Sequence, residues 1–473
     1  MDRKMRNAII VCCAVAVTTA AVIISAFTGN NAPNRSISIS DENAVSHYEN
    51  AVKTLNAQSK LSMTVMQTKN TTIAGDTFSE DSVQELQYTG LGTEDMCGSA
   101  EQKINIGSHT ISSVELYAKN TGYFTVQGAS FQGSITADAY LDRYVPGALI
   151  TPSLYKTVSA RKSDSIIVIS FSDATAPERW LVTDAQQFHC ASGIAHLDEK
   201  GSLIYSEYDV SYSKNGMLMH LHITVKINSS SRIKISIPEE ADQYTKIQYL
   251  DAPLDLEVAC GYLMIADTIS ANYTNTITHQ AYGDSRKEKI ALNIHTGDNW
   301  SARLDTNIVL TNTSLGDQKS NISQSEVFAD NKYIVTLDGE TQELPLDEAT
   351  MKTLCRNQLV GTILLPQYIQ NAKVVEKENT LRIEITPTDT FIKEIRADIH
   401  EKLYQKADEI SEKYKTNSVS CYLDLDLKTR MPVATGISYA GTYKKDGITY
   451  TMSSDTVQTY NLASATAYDA IHK

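Results

Sequence analysis

The 473-residue chain repeats itself, and the order of the repeats limits what it can fold into. Glu115-Leu116-Tyr117-Ala118-Lys119-Asn120 is followed by Tyr123-Phe124, and Glu326-Val327-Phe328-Ala329-Asp330-Asn331 by Tyr333-Ile334, an offset of 211 residues. Gly147 and Pro152 return as Gly361 and Pro366, and Ile166–Ile169 as Thr380–Ile383, both at an offset of 214. Tyr212-Ser-Lys-Asn215-Gly216 returns as Tyr443-Lys-Lys-Asp446-Gly447 at 231. The offset grows and never reverses, so separate patches keep their order, which chance similarity does not do. The expectation is one folding unit written twice, which also suits a chain too long for a single core.

Within each copy the pattern is strand after strand. Leu61, Met63 and Val65 alternate with polar residues, as do Ile104 and Ile106, and Val114, Leu116 and Ala118. Period-two alternation predicts sheets with one buried and one wet face. Asn215-Gly216 and Asp446-Gly447 sit between such runs and tolerate the positive φ of a tight hairpin. Asp41 to Gln58 reads as a helix, with Val45, Tyr48, Val52 and Leu55 on one stripe and Ser40 as N-cap. The middle of each copy (137–158 and 346–372) alternates less and carries Pro152 or Pro366, which predicts a helical, lid-like crossover. The growth in offset falls at Pro387–Asn417, where Ile392, Ile395, Ile399, Leu403, Ile410 and Tyr414 recur at helical steps. Such a helix caps a cavity, docks on a neighbour or meets a partner. The expected organisation is a first repeat over 41–238, a linker at 239–253, a second repeat over 254–464 with its inserted helix at about 388–415, and a tail at 465–473.

Arg3, Lys4 and Arg6 precede the uncharged run Ala8–Phe27, after which Gly29, Asn30, Asn31 and Pro33 break the pattern. Its twenty residues span roughly the 30 Å hydrocarbon core as a helix. The basic flank keeps the short N-terminus cytoplasmic. Residues 1–29 are thus read as cytoplasmic tip and single-pass transmembrane anchor, and 30–40 as a polar stalk. The competing reading is a signal peptide cleaved near Ser25 or Ala26, which makes the protein secreted. The bulk is extracytoplasmic on either reading. A net charge of -14 repels phosphate backbones, so no nucleic-acid partner is expected. Cys97, Cys190, Cys260, Cys355 and Cys421 are odd in number and widely spaced, which reads as isolated thiols.

The α+β pattern of a curved antiparallel sheet (an incomplete barrel) with an N-terminal helix and a helical lid-like middle, written in two tandem domains, resembles the LolA/LppX-like superfamily of lipoprotein and lipid carriers. Three features carry the resemblance: a helix leading into a long strand at Leu55–Lys69, the Pro-bearing segment between two strand groups, and a strand-turn element. That element reads His196-Leu197-Asp198-Glu199-Lys200-Gly201 in the first copy and Leu425-Asp426-Leu427-Lys428-Thr429 with Pro432 in the second. The resemblance covers nearly all of Val45–Ser464 and rests on element order. It implies a concave apolar surface suited to acyl chains, and it places tandem, membrane-anchored versions among exported proteins of Gram-positive bacteria. It transfers no individual functional residue, and an anchored protein does not ferry cargo between membranes.

No GxSxG, HExxH, Walker A or CxxC motif is present, so no enzyme, catalytic residue or cofactor is expected. Gly90-Leu91-Gly92 reads as a plain turn, and Asp424 and Asp426 lack the glycine of a calcium loop. His220 and His222 share one strand face, a spacing that suits a metal, but a third ligand is required and His196 is the nearest by sequence. The reading adopted is a wet sheet face beside Met217 and Met219, with no metal. Tyr117, Tyr123, Phe328 and Tyr333 are read as core filling. Two functions remain: a membrane-anchored extracytoplasmic module that holds a lipid-like or other hydrophobic small molecule, and a structural module of the bacterial cell envelope with filled cores that meets a protein partner.

Overall fold

The computed structural model describes residues 37–39, 41–144, 150–163, 165–176, 187–214, 217–228, 233–280, 283–296, 299–312, 318–404, 413–427, 429–445, 447–464 and 466–472. The apolar run Ala8–Phe27, the cap Ser40, Gly147 and the turn residues Asn215, Gly216 and Asp446 lie outside them. Among the described residues no helix is long and apolar enough to cross a membrane.

The chain runs through β1 (Ile37–Ile39), α1 (Asp41–Asn56), β2 (Lys60–Ile73), β3 (Asp76–Thr89), β4 (Cys97–Ile106), β5 (His109–Ala118), β6 (Thr121–Val126), β7 (Ala129–Ser134) and α2 (Ala137–Tyr144). It continues with β8 (Tyr155–Ser163), β9 (Ile166–Ala174), β10 (Gln187–Leu197), β11 (Leu203–Lys214), β12 (Met217–Asn228), β13 (Thr245–Lys246) and α3 (Ala252–Ile265). The remainder is β14 (Thr268–His279), β15 (Asp284–Thr296), β16 (Trp300–Asn312), β17 (Gln318–Ala329), β18 (Lys332–Leu337), β19 (Glu340–Leu344), α4 (Glu348–Val360), β20 (Ile369–Glu376), β21 (Thr380–Pro387), α5 (Asp389–Tyr404), β22 (Lys415–Asp426), β23 (Pro432–Lys445), β24 (Ile448–Leu462) and α6 (Ala467–Ile471). The strands form open, curved sheets whose neighbours are antiparallel apart from the parallel pair β7–β13.

Two compact units cut the chain elsewhere than at the midpoint. One holds the described residues up to Lys69 together with 150–228; the other holds Asn70–Tyr144 and everything from 233 onward. In the first unit the order is β1-β8-β9-β10-β11-β12-β2. Here α1 lies on β8, β10 and β11. Tyr48 meets Phe171 edge-on at 5.2 Å, and its hydroxyl accepts from the Ile150 N–H.

In the second unit one strand group runs β3-β4-β5-β6-β7-β13, and the other runs β19-β18-β17-β16-β15-β14-β24-β23-β22-β21-β20. The last strand, β24, therefore stands beside β14, as β12 stands beside β2 in the first unit. The segments matched by sequence adopt matching local forms. The β5–β6 turn puts Lys119 and Asn120 at φ of 50° and 58°, and the β17–β18 turn puts Asp330 and Asn331 at 52° and 60°. Both are the left-handed pairs that a two-residue hairpin loop requires. Pro152–Leu154 and Pro366–Tyr368 are each one 3₁₀ turn that runs straight into a strand. Asp198 and Asp426 each fold a hairpin turn back on a side-chain carboxylate, Asp198 accepting from the Lys200 and Ser202 amides and Asp426 from that of Thr429.

The main core of this unit gathers around α3. Its sequence, APLDLEVACGYLMI, is apolar around most of the helix, which is the mark of a helix buried on more than one side. It packs on β4 and β5 and also on α4, β20 and β23. Phe78, Ile106 and Phe124 thereby share one cluster with Leu256, Leu263, Leu292 and Leu423. Arg356 on α4 donates to the Leu263 and Ala266 carbonyls, both at 2.8 Å, and so satisfies acceptors at the α3 C-terminus.

Two expectations are corrected. In β5 the face turned inward is Ile111, Ser113, Glu115 and Tyr117, while Val114 is 38% exposed. The apolar alternation read at Val114, Leu116 and Ala118 thus lies on the outer face, because Glu115 finds buried partners. The inserted helix is shorter than 388–415: α5 ends at Tyr404, residues 405–412 lie outside the described set, and Lys415 already begins β22. Tyr414 faces a buried histidine from just before that strand.

Candidate functional site

The second unit contains a space of about 430 Å³ that no side chain fills. Its floor is the concave face of β14, β15, β23 and β24, and its roof is α5 with the end of α4. The inner stripe of α5 explains the roof. Ile395, Ile399 and Leu403 pack on Ile277, Tyr439 and Met452 of the sheet, so the stripe read from the sequence docks on the sheet of its own unit. A second, wider depression lies on the outer face of β3–β6 beside exposed Val83 and Val114.

The cavity is amphipathic. Ile290, Phe391, Ile395 and Ile437 supply its apolar wall. Glu288, Glu394, Asp398 and Lys402 supply charge, and Ser454, Thr456 and Thr362 supply hydroxyls. Buried Asn275 accepts from Ser454 and Thr456, both at 3.2 Å, and holds those hydroxyls in place. Gln458 and Tyr460 donate to the Gln358 and Leu359 carbonyls at 2.9 Å, which satisfies the C-terminus of α4. The apolar concave surface implied by the family resemblance is therefore only part of what the sheet presents.

Lys402 is the cation of the cavity, 2.9 Å from Asp398. Burial works against its ammonium, but Tyr273, Asp398 and Glu288 outweigh it and hold its pKa above the ordinary lysine value. Burial and the carboxylates of Glu288 and Asp398 push the Tyr273 hydroxyl up, against the opposing pull of Lys402. Both groups keep their protons near neutrality, so the cavity offers one cation, three carboxylates (Glu288, Glu394 and Asp398) and several hydroxyls.

The far end of α5 is latched by a buried relay. Tyr404 donates to Asp284 at 2.8 Å, so it accepts from Nδ1 of His279, and Nε2 of His279 takes the Tyr414 hydroxyl at 2.8 Å. Burial lowers the His279 pKa, Asp284 opposes that, and His400 adds to it.

The place under the α2 helix is filled instead. Tyr140 stacks on Tyr117 at 4.9 Å and meets Tyr88 and Tyr144 edge-on. Glu115 accepts from Arg143 at 2.7 Å and from the Tyr144 hydroxyl, and Arg143 also pairs with Asp251. Burial raises the Glu115 pKa despite that guanidinium and that hydroxyl.

Of the residues weighed from sequence, Tyr117 and Phe328 are core, and Tyr123 and Tyr333 are half-buried; none of the four lines the cavity. Asp424 is held by Arg382 through two bonds of 2.6 Å. Gly90 has φ 67°, and a Cβ there would meet the Asp95 carbonyl oxygen at 2.7 Å, a tight turn. Burial pushes the Cys260, Cys355 and Cys421 thiols up to about 12, which leaves them protonated and unreactive. His220 and His222 share a face with Asp209, whereas His196 packs on the Tyr205 ring at 5.0 Å. The cavity residues escaped the sequence reading because they come from six separated segments; the stripe of α5 was the one signal pointing to them.

No family model matches the chain, and no curated protein matches it. Among solved structures it is similar to LprF from Mycobacterium bovis at 11% identity, over 43% of this chain and 99% of that one, with a TM-score of 0.26. It is similar to the lipoprotein LppX of Mycobacterium tuberculosis at 11% identity, over 44% and 92%, with a TM-score of 0.22. A DUF1329 family protein from Desulfovibrio piger aligns at 11% identity over 45% and 90%, with a TM-score of 0.16. At these scores the functional reading rests on the geometry of the site itself.

Proposed function

We propose that this protein is a non-catalytic binding protein of the bacterial cell exterior, held by its N-terminal apolar segment, whose second repeat keeps a small hydrophobic-bodied, amphipathic molecule beneath α4 and α5. The observation that carries the reading is the unfilled space of about 430 Å³ between a curved sheet and its helical roof. That volume is toward the lower end of ordinary small-ligand pockets, so it suits one compact molecule or the end of a single acyl chain. The apolar body lies against Ile290, Phe391 and Ile437, and the polar end meets Lys402 and the Ser454–Thr456 pair. The two copies are one duplicated unit, supported by the matched turns and by the like placing of β12 and β24.

The scaffold reading is favoured for the first repeat by a specific observation. Tyr88, Tyr117, Tyr140 and Tyr144 occupy the place under α2, so binding belongs to the second copy. Native mass spectrometry and solvent extraction of the purified exterior part test the proposal. A co-purifying small molecule is expected, and Thr456→Trp, which fills the cavity from β24, should abolish it without unfolding the protein. A folded protein whose extracted and isolated forms have the same mass would sink the proposal.

A further inference from the structure

The pair β11–β12 carries a cluster that ligand binding does not use. Asp209 stands opposite His222, Ser211 opposite His220, and Glu207 opposite Thr224. Strand alternation therefore puts both acids and both imidazoles on one face, while Val210, Tyr212, Met219 and Leu221 close an apolar cluster on the other. Asp209 is the hub: its Oδ1 is 3.0 Å from Nδ1 of His222 and 3.7 Å from Nε2 of His220. One donor atom from each of Glu207, Asp209 and His222 lies within 4.8 Å of the others. These are not loosely solvated surface acids, since the Glu207 residue is 6% exposed and the Asp209 side chain 18%.

The supports around the cluster are also present. Ser211 Oγ lies 2.9 Å from His220 Nδ1, which leaves Nε2 facing Asp209. Tyr205 donates to Glu207 Oε2 at 2.6 Å. Imidazoles that bind metals are fixed by a bond at the other ring nitrogen, and ligating carboxylates by a neighbouring donor. Both devices stand on a strand ladder whose backbone register is fixed.

We propose that β11 and β12 form a site for a divalent transition cation of the zinc class, with Asp209, His222 and Glu207 as ligands and His220 Nε2 as the fourth. Two nitrogen and two oxygen donors suit such an ion, whereas calcium and magnesium favour all-oxygen sets. Bonds of about 2.0–2.2 Å place the donors of a tetrahedral ion roughly 3.3 Å apart. The two histidine distances to Asp209, 3.0 and 3.7 Å, bracket that spacing; Glu207, and His220, which stands outside the 4.8 Å group of the other three, must close by side-chain rotation. A doubly charged cation also neutralises two carboxylates held side by side in a half-buried place, where their repulsion is only partly screened. The site is independent of the cavity under α5.

Titration of the untagged exterior protein with Zn2+, and with Co2+ as a visible reporter, tests the assignment. One ion per chain, a four-coordinate Co2+ absorption band and a raised Tm are expected. Asp209→Asn and His222→Gln should abolish the band, Tyr205→Phe should weaken binding by about tenfold to a hundredfold, and His196→Gln should leave it unchanged. Far-UV circular dichroism confirms that each variant is folded. Absence of stoichiometric binding, or binding that survives both ligand variants in folded protein, would overturn the proposal.

Discussion

Gly261→Ala tests the central packing claim, because its sign should be opposite to the helix rule. In a helix interior, alanine is favoured over glycine by about 1 kcal/mol. Here a Cβ on α3 would lie 2.9 Å from Ile106 Cδ1, 3.1 Å from Ile106 Cβ and 3.2 Å from His109 Cδ2. Carbon contacts are optimal at about 3.5–4.0 Å, and Ile106 is fully buried with little room to yield. Overpacking of this kind costs about 1–3 kcal/mol, so the net expectation runs from neutral to roughly 2 kcal/mol of destabilisation. Ile106→Val removes the nearest atom and alone should cost about 0.5–1.5 kcal/mol. In the alanine background the new methyl group occupies the vacated space, so the double variant should be more stable than the sum of the singles by about 1 kcal/mol. Urea unfolding followed by intrinsic fluorescence reads the cycle, since Trp300 belongs to the same core cluster. A gain of about 1 kcal/mol for Gly261→Ala, or additivity within about 0.3 kcal/mol, would refute the packing of α3 against β4 and β5.

Two further outcomes concern pH. Burial raises the folded-state pKa of Glu115, so its contribution to stability is full below the ordinary carboxylate value near 4.3 and is lost as pH rises through the folded value. The stability difference between the wild type and Glu115→Gln should therefore shrink or reverse as pH is raised from about 4 to 7, and parallel denaturation profiles would contradict it. Burial lowers the pKa of His279, so its contribution is present above about 6.5 and lost as pH falls through the folded value; hydrogen exchange in α5 should accelerate in acid beyond the intrinsic rate in the wild type, and His279→Gln should remove that dependence.

What could be read in advance follows from how local each signal is. The helix α1 and the stripe Ile395–Ile399–Leu403 depend on residues close in the chain, and sequence reading finds them. The inward face of β5 does not. Its apolar alternation at Val114 and Leu116 favours one face, but the choice is made by Arg143 and Tyr144, which reach Glu115 from 28 and 29 residues away. The acids beside His222 are hidden for a similar reason. Asp209 is 13 residues from His222 along the chain and directly opposite it across the ladder, whereas His196, the nearest histidine by sequence, is paired with Tyr205 farther along. The apolar circumference of Ala252–Ile265 is the signal most open to a closer reading, since a helix with no polar face must be covered on several sides.

That helix also bears on how the two strand groups of the second unit share one core. A segment read as a linker at 239–253 ends in a helix whose Tyr262 hydroxyl reaches Glu80 at 2.6 Å and whose neighbours include Phe78 and Ile106 from β3 and β4. The joint itself is tied down, because Gln132 donates to the Ala241 and Tyr244 carbonyls at 3.0 Å and β13 pairs with β7. Exposed to water, this helix would need a polar outer surface; here the surface is apolar and covered. Strands β3 to β6 therefore serve as a wall of the core on which α4 and the β14–β24 sheet are built, and the place under α2 is closed by tyrosines. With one strand group filled and supporting, the other leaves about 430 Å³ open beneath α5.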